Sequence, residues 1–126
     1  MFRNIKYQMA TPDEVKLFLR DFKTKLEFWG VVFLDERAKN AKTLAILEIT
    51  TIQRKKILQE LNVGNYAEGP IANKQFFGNG LWVFGKVIKQ HEIYIKITMG
   101  LPNKQTICIS FHVAEHPMTF PHKTTQ

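Results

Sequence analysis

The chain has 126 residues, with 18 Lys or Arg against 11 Asp or Glu, and its net charge of +7 favours a polyanion such as RNA, or an acidic protein, as its partner. An apolar fraction of 44% fits one packed domain, and no stretch approaches the roughly 18 apolar residues that a membrane span needs. The single cysteine, Cys108, excludes an internal disulfide, so we expect a reduced cytoplasmic protein in which this residue has a packing role.

The first predicted element is an amphipathic helix that follows an N-terminal extension over residues 1–10. Thr11 is a suitable N-cap, Pro12 suits the first helical position, and two acidic residues follow in the first turn. Apolar side chains then recur at steps of three and four residues as far as Trp29. Gly30 is predicted to end this helix.

The next segments are a short buried strand over residues 31–34 and an apolar run over 44–49, which we also predict as a strand. A second helix is expected to begin after a cap at Thr50 or Thr51 and to run through Leu61. Its predicted outer side carries three basic residues: Arg54, Lys55 and Lys56.

The second half of the chain is predicted to be mainly β-structure. Residues 66–80, rich in Gly, Pro, Asn and Ala, have the composition of a long loop. Strands over 81–88, 92–99 and 105–112 follow closely and form an antiparallel meander, and residues 114–126 form a surface tail. We therefore predict a single α+β domain with an antiparallel or mixed sheet and two main helices on one of its faces.

Alternation of side chains divides the last two strands into a core face and a polar face. The predicted core face carries Ile93, Ile95, Ile97, Met99, Ile107, Ile109 and Phe111. The predicted polar face carries Tyr94, Lys96, Thr98, Thr106, Cys108, Ser110 and His112. Pairing core face with core face places Tyr94, Lys96, Ser110 and His112 on one open surface.

The first hairpin of the meander determines what lies beside Tyr94. A turn at Lys89 and Gln90 would put Gly85 opposite Tyr94 and leave the phenol uncovered, whereas a turn longer by one residue would bring Lys86 beside it. Either arrangement gives a basic, aromatic face that can stack a base and hold phosphates.

Metal-free RNA cleavage needs a group that takes the proton of the 2′-hydroxyl, one that protonates the departing 5′-oxygen, and cations beside the phosphorane. His112, Tyr94 and the lysines are residues of these types. Each of them is also common on protein surfaces without any such role, so a basic binding module without catalysis is the alternative function. The predicted RNA-binding residues are Lys96, Lys86, Arg54, Lys55 and Ser110.

Three segments together carry a resemblance to a known family: Trp82–Lys86, Glu92–Ile97 and Cys108–His112. They resemble the C-terminal half of MqsR-type mRNA interferase toxins, within the wider RelE-like group, and the likeness extends over roughly 44–112. It implies an α+β fold, ribosome-independent cleavage of mRNA, and neutralisation by a co-encoded antitoxin that also binds DNA. It also implies a chain that is monomeric when free or assembled with that antitoxin. We predict that the cleavage needs neither a metal nor a cofactor.

The resemblance also implies roles for individual residues. Tyr94 and His112 match the catalytic tyrosine and the basic residue of the last strand, and Lys56, with Lys55 as an alternative, matches a helix lysine that supplies positive charge. The glutamine expected after the tryptophan is missing, because Val83 stands there. Lys86 is the candidate substitute.

A competing pattern is His112-x-x-Glu115-His116, which fits the H-x-x-E-H motif of inverted zincins. That motif requires both histidines on one helical face, whereas His112 ends a predicted strand and Pro117 follows at once. We therefore predict no metal site here.

Overall fold

The structure is a computed structural model that describes residues 9–76 and 79–124. Within them the elements are α1 (Pro12–Trp29), β1 (Val31–Phe33), α2 (Ala38–Leu47), α3 (Thr51–Gln59), a 3-10 turn (Val63–Asn65), β2 (Tyr66–Ile71), β3 (Leu81–Ile88), β4 (His91–Thr98) and β5 (Thr106–Val113). The five strands form one mixed sheet in the order β1-β5-β4-β3-β2, in which β1 is parallel to β5 and the other pairs are antiparallel. The α+β class is confirmed.

Helix α1 begins and ends where the sequence predicts. Thr11 Oγ1 accepts a hydrogen bond from the Glu14 amide, and the Glu14 carboxylate accepts one from the Thr11 amide, which satisfies two of the otherwise unpaired donors. Gly30, at φ 87°, ends the helix. Its apolar side packs on the sheet core through Val15, Phe18, Leu19, Phe22 and Leu26.

The prediction of a strand over 44–49 was wrong, because residues 38–47 form helix α2. The reason lies upstream of the apolar run: the buried residues Asn40, Thr43 and Leu47 are spaced by three and four, as on one helical face, and two of them are polar. With α1 and α3 this makes three helices in the described residues, one more than predicted. Helix α3 begins after Thr50, one of the two predicted caps.

The prediction of a loop throughout 66–80 was also wrong, since Tyr66–Ile71 is the edge strand β2. Its pairing with β3 shifts on both sides of Glu68, and Pro70 lies within it. Proline is tolerated in an edge strand because one side of the strand needs no hydrogen bonds. These irregularities remove the alternating pattern by which a strand is recognised.

The meander β3-β4-β5 forms as predicted. Lys89 and Gln90, both at positive φ, make the two-residue turn, and Gly85 consequently lies opposite Tyr94. The prediction of an uncovered phenol was wrong, however, because Tyr94 is half-buried and the chain after β5 crosses this face.

The alternation of β5 changes phase at one residue. Lys96 pairs with Ser110 and Ile97 with Cys108, so Ile109 is the extra residue of a β-bulge. At the residues of β5 that precede the bulge in sequence, the two faces are the reverse of the prediction. Cys108 joins the hydrophobic core beside Ile97, and Ile107 pairs with Thr98. Cys108 is a free, buried thiol, and burial raises its pKa. Its predicted packing role is confirmed, while its predicted position on the polar face was wrong.

Helix α2 covers the edge of β5 that β1 leaves unpaired. The Asn40 amide donates to the carbonyls of Leu34 and Ile109 and accepts from the Phe111 amide, while Thr43 Oγ1 accepts from the Val113 amide. Side chains thus replace a neighbouring strand and satisfy an edge that would otherwise be open. In the described residues no helix is long and apolar enough to cross a membrane.

Candidate active site

A cavity of about 790 Å³ lies on the sheet face opposite the core. Its floor is formed by side chains of the three central strands: Val83, Tyr94, Lys96, Ser110 and His112. Four of these are the residues that the sequence places on one open surface, and the structure brings them together. They share a face because Tyr94 pairs with His112, and Lys96 with Ser110, and both β5 residues follow the bulge in sequence.

Three segments wall the cavity. The start of α2 forms one wall, β2 contributes a second, and the chain after β5 forms the third. The wall residues are Arg37, Ala38, Lys39, Asn40, Ala67, Glu68, Glu115, His116, Pro117, Met118 and Thr119. The charged lining therefore contains three Lys or Arg cations and two carboxylates, together with two histidines, and its side-chain charge favours anions.

Tyr94 and His112 form a stacked pair. Their ring centroids are 5.1 Å apart and their planes differ by 14°. The Lys96 ammonium lies 5.9 Å from the centroid of the Tyr94 ring. A phenol, an imidazole and an ammonium are thus held side by side on two neighbouring strands, which is a more rigid support than a loop.

The orientation of the His112 ring is fixed by its backbone. Nδ1 lies 3.0 Å from the carbonyl oxygen of Val113. A carbonyl oxygen only accepts, so Nδ1 carries a hydrogen and donates it. Nε2 is therefore the nitrogen that accepts a proton in the neutral ring and donates one in the charged ring.

The Tyr94 hydroxyl is held in its protonated form. Burial raises the pKa of the phenol above its ordinary value, and the negative charges of Glu68 and Glu115 raise it further. At neutral pH the group is consequently a hydrogen-bond donor, and it does not act as a base.

Lys96 carries the opposite shift. Burial lowers the pKa of its ammonium, and the positive charges of Arg37 and Lys39 lower it further, while Glu68 opposes them. Arg37 and Lys39 thus lie close enough to Lys96 for their positive charges to act on it. An anion bound among these cations would offset their charges.

The other predicted site residues lie outside this cavity lining. The prediction of Arg54 on the outer side of its helix was wrong, because the residue is 3% exposed. Its guanidinium stacks over Phe33 at 3.8 Å and forms a bidentate ion pair with Asp35. Lys86 points to the core side of the sheet, where it pairs with Glu60 at 3.4 Å. Lys55 and Lys56 belong to α3, which contributes no residue to the cavity.

The tail packs across the face that bears the cavity as far as Phe120. A Cβ added at Gly85 would lie 2.7 Å from Met118 Sδ and 2.8 Å from the Phe120 ring, so the glycine makes room for the tail. His122 stacks on Tyr66 and contacts the carbonyl oxygen of Ala10. Ala10 is buried, although it belongs to the predicted N-terminal extension, of which residues 1–8 lie outside the described residues. The tail thus builds one wall of the cavity.

Three charged wall residues were missed by the sequence reasoning: Arg37, Lys39 and Glu68. Arg37 and Lys39 lie between the two segments predicted as strands, and Glu68 lies in the predicted loop, so neither periodicity nor register indicated where their side chains point. The glycine and proline after Glu68 favour the loop assignment still more.

The zinc motif does not have the geometry that it needs. His112 belongs to β5, and Glu115 and His116 lie in a bend after it, so the two histidines do not stand one turn apart on a helix. Among residues 9–76 and 79–124, no group of three or more His, Cys, Asp or Glu side chains is placed to hold a metal ion.

No protein-family model, curated protein or solved structure matches the chain.

Proposed function

We propose that this chain is a metal-independent endoribonuclease that cleaves mRNA, and that it is the toxin of a toxin–antitoxin pair. The observation that carries the proposal is the stacked Tyr94–His112 pair beside Lys96, in a cavity whose side chains favour anions. The likeness to MqsR-type toxins stated above adds to it, since that family matches Tyr94 and His112 to catalytic residues.

The reaction is an attack of the 2′-hydroxyl on the adjacent phosphorus. It forms a 2′,3′-cyclic phosphate and releases the 5′-hydroxyl of the next nucleotide. His112 Nε2 serves as one of the two proton-transfer groups, because Nδ1 is committed to the Val113 carbonyl. Tyr94, kept protonated, donates a hydrogen bond to a phosphate oxygen, and Lys96 offsets the charge of the phosphorane.

The size and charge of the cavity suit a single-stranded RNA segment. A volume of about 790 Å³ lies within the range of roughly 300–1,000 Å³ of small-molecule sites, so it holds a nucleotide or two rather than a duplex. Arg37 and Lys39 at the start of α2 extend the positive surface towards neighbouring phosphates.

The direct test is incubation of the purified chain with a defined single-stranded RNA, followed by mapping of the new ends. We expect a 2′,3′-cyclic phosphate and a 5′-hydroxyl, and no cleavage when the nucleotide 5′ of the scissile bond lacks its 2′-hydroxyl. An RNA that is bound and left intact under all conditions would favour the alternative, a basic binding module.

The toxin assignment has its own test, which is growth. Expression of the chain alone should arrest growth, and expression with the neighbouring small gene should restore it by supplying the antitoxin. Growth that continues at full rate during expression of the folded chain would contradict this part of the proposal.

A further inference from the structure

We propose that Glu68 is the general base of the reaction and that His112 is the general acid. This inference deepens the proposed function and rests on it. No role was predicted for Glu68, since it fell in a predicted loop, and the structure places it in the wall of the cavity.

The first support is the local backbone, which turns Glu68 towards the cavity. Strand β2 pairs regularly with β3 only at isolated positions, and its register shifts on both sides of Glu68. Tyr66, buried beneath the strand, donates its hydroxyl hydrogen to the carbonyl of Gly69 and holds this irregular segment in place. Bulges of this kind commonly re-aim a side chain beside a site.

The second support is the position of Glu68 across from the other functional groups. Glu68 pairs with Val83, Val83 with Lys96, and Lys96 with Ser110, so these residues form one row across four strands. The row places the backbones of Glu68 and Lys96 two strand spacings apart, roughly 10 Å. The side chain of Val83 is short, so the cavity extends over it. Glu68 lies on one side of this space, and Lys96 and Ser110 lie on the other.

The third support is the availability of the carboxylate. The Glu68 carboxylate makes no hydrogen bond or ion pair within the described part of the chain, although its charge acts on Tyr94 and Lys96. The other cavity carboxylate, Glu115, is occupied, because Lys39 donates to it at 2.8 Å. A half-buried carboxylate without a partner weakens the binding of a polyanion. A role in proton transfer therefore explains its presence here better than a role in RNA binding does.

The charged and titratable groups that line the cavity with Glu68 come from four places: Tyr94 and Lys96 of β4, His112 of β5, Arg37 and Lys39 at the start of α2, and Glu115 and His116 of the tail. Tyr94 does not compete for the role of base, because its phenol stays protonated at neutral pH.

The Glu68 carboxylate takes the proton of the 2′-hydroxyl, and the 2′-oxygen forms its bond to phosphorus as the bond from phosphorus to the 5′-oxygen breaks. The charged His112 ring gives the hydrogen on Nε2 to that departing oxygen. Acid and base thus act from opposite sides of the phosphate, as an in-line displacement requires.

The test compares Glu68→Gln with a matched control, Glu60→Gln, whose carboxylate lies on the core side and pairs with Lys86. Under single-turnover conditions we expect Glu68→Gln to lower the cleavage rate about 100-fold or more and to abolish the acidic limb of the pH–rate profile. It should bind an RNA with one 2′-deoxy nucleotide at the scissile position as tightly as the unmodified chain does, or more tightly. The control should keep the full rate.

A substrate with a bridging sulfur in place of the 5′-oxygen separates the two roles, because a thiolate departs without a proton. With this RNA, His112→Ala should regain most of its lost rate, whereas Glu68→Gln should stay slow. If the unmodified chain cleaves RNA but Glu68→Gln keeps both its rate and its acidic limb, the inference is wrong while the proposed function stands. If the unmodified chain cleaves no RNA, the proposed function fails.

Discussion

The imidazole of His112 lies flat against the phenol of Tyr94, with their centroids 5.1 Å apart and their planes within 14° of parallel. The contact follows from register, since the two residues are direct partners on β4 and β5. It gives each ring one face in contact with the other and leaves Nε2 and the phenol hydroxyl as the polar atoms available to a ligand.

Tyr94→Phe removes only the hydroxyl and keeps the ring that stacks on His112. Within the described residues this hydroxyl makes no hydrogen bond, so we expect the melting temperature to stay nearly unchanged. The RNA cleavage rate should fall about 100-fold, as when one donor to a developing charge is removed. A folded variant that arrests growth as strongly as the original chain would exclude the hydroxyl from the mechanism.

His112→Ala removes the imidazole, and we expect the rate of RNA cleavage to fall about 100-fold to 10,000-fold. His91→Ala is the matched control, because His91 is exposed at the start of β4 and does not line the cavity. The measurement is the single-turnover rate on a defined RNA. Equal rates for the two variants would contradict a role for His112.

Chelation should leave the cleavage rate unchanged, because the proposed proton transfers and charge compensation use only side chains. The measurement is RNA cleavage after dialysis against excess EDTA, with a magnesium-dependent nuclease as the control that must lose activity. Loss of cleavage on chelation, with recovery when a divalent metal is added back, would support metal-assisted chemistry instead.

Asn40→Ala should destabilise the protein by about 3 kcal/mol, because it removes the hydrogen-bond partner of the buried Ile109 carbonyl and Phe111 amide at the edge of β5. The Asn40 side chain is 1% exposed and forms hydrogen bonds to Leu34, Ile109 and Phe111. Lys42→Ala, at an exposed position of the same helix, should change the free energy of unfolding little. Urea denaturation of both variants measures the difference.

Asp35→Asn tests whether the ion pair between Arg54 and Asp35 stabilises the fold. The substitution leaves a guanidinium that is 3% exposed without its countercharge, and we expect a loss of about 3 kcal/mol in the free energy of unfolding. Glu36→Gln, at the exposed neighbouring position, is the control. If Asp35→Asn unfolds at the same urea concentration as the original chain, Arg54 does not depend on this pair.

The local sequence determined helix α1, the three strands of the meander, and the phase that puts Tyr94, Lys96, Ser110 and His112 on one face. These features depend on capping residues, turn residues and alternation within one or two segments, all of which can be read along the chain.

Only the tertiary structure decided what surrounds that face. Helix α2 is recognised by the buried polar residues Asn40 and Thr43, which form hydrogen bonds to the open edge of β5. Strand β2 forms by pairing with β3, although it contains a proline. The bulge at Ile109 reverses the phase of β5, and the tail closes the cavity by packing over Gly85. Each of these rests on contacts between residues far apart in sequence, and so the wall that carries Glu68 could not be read from the sequence alone.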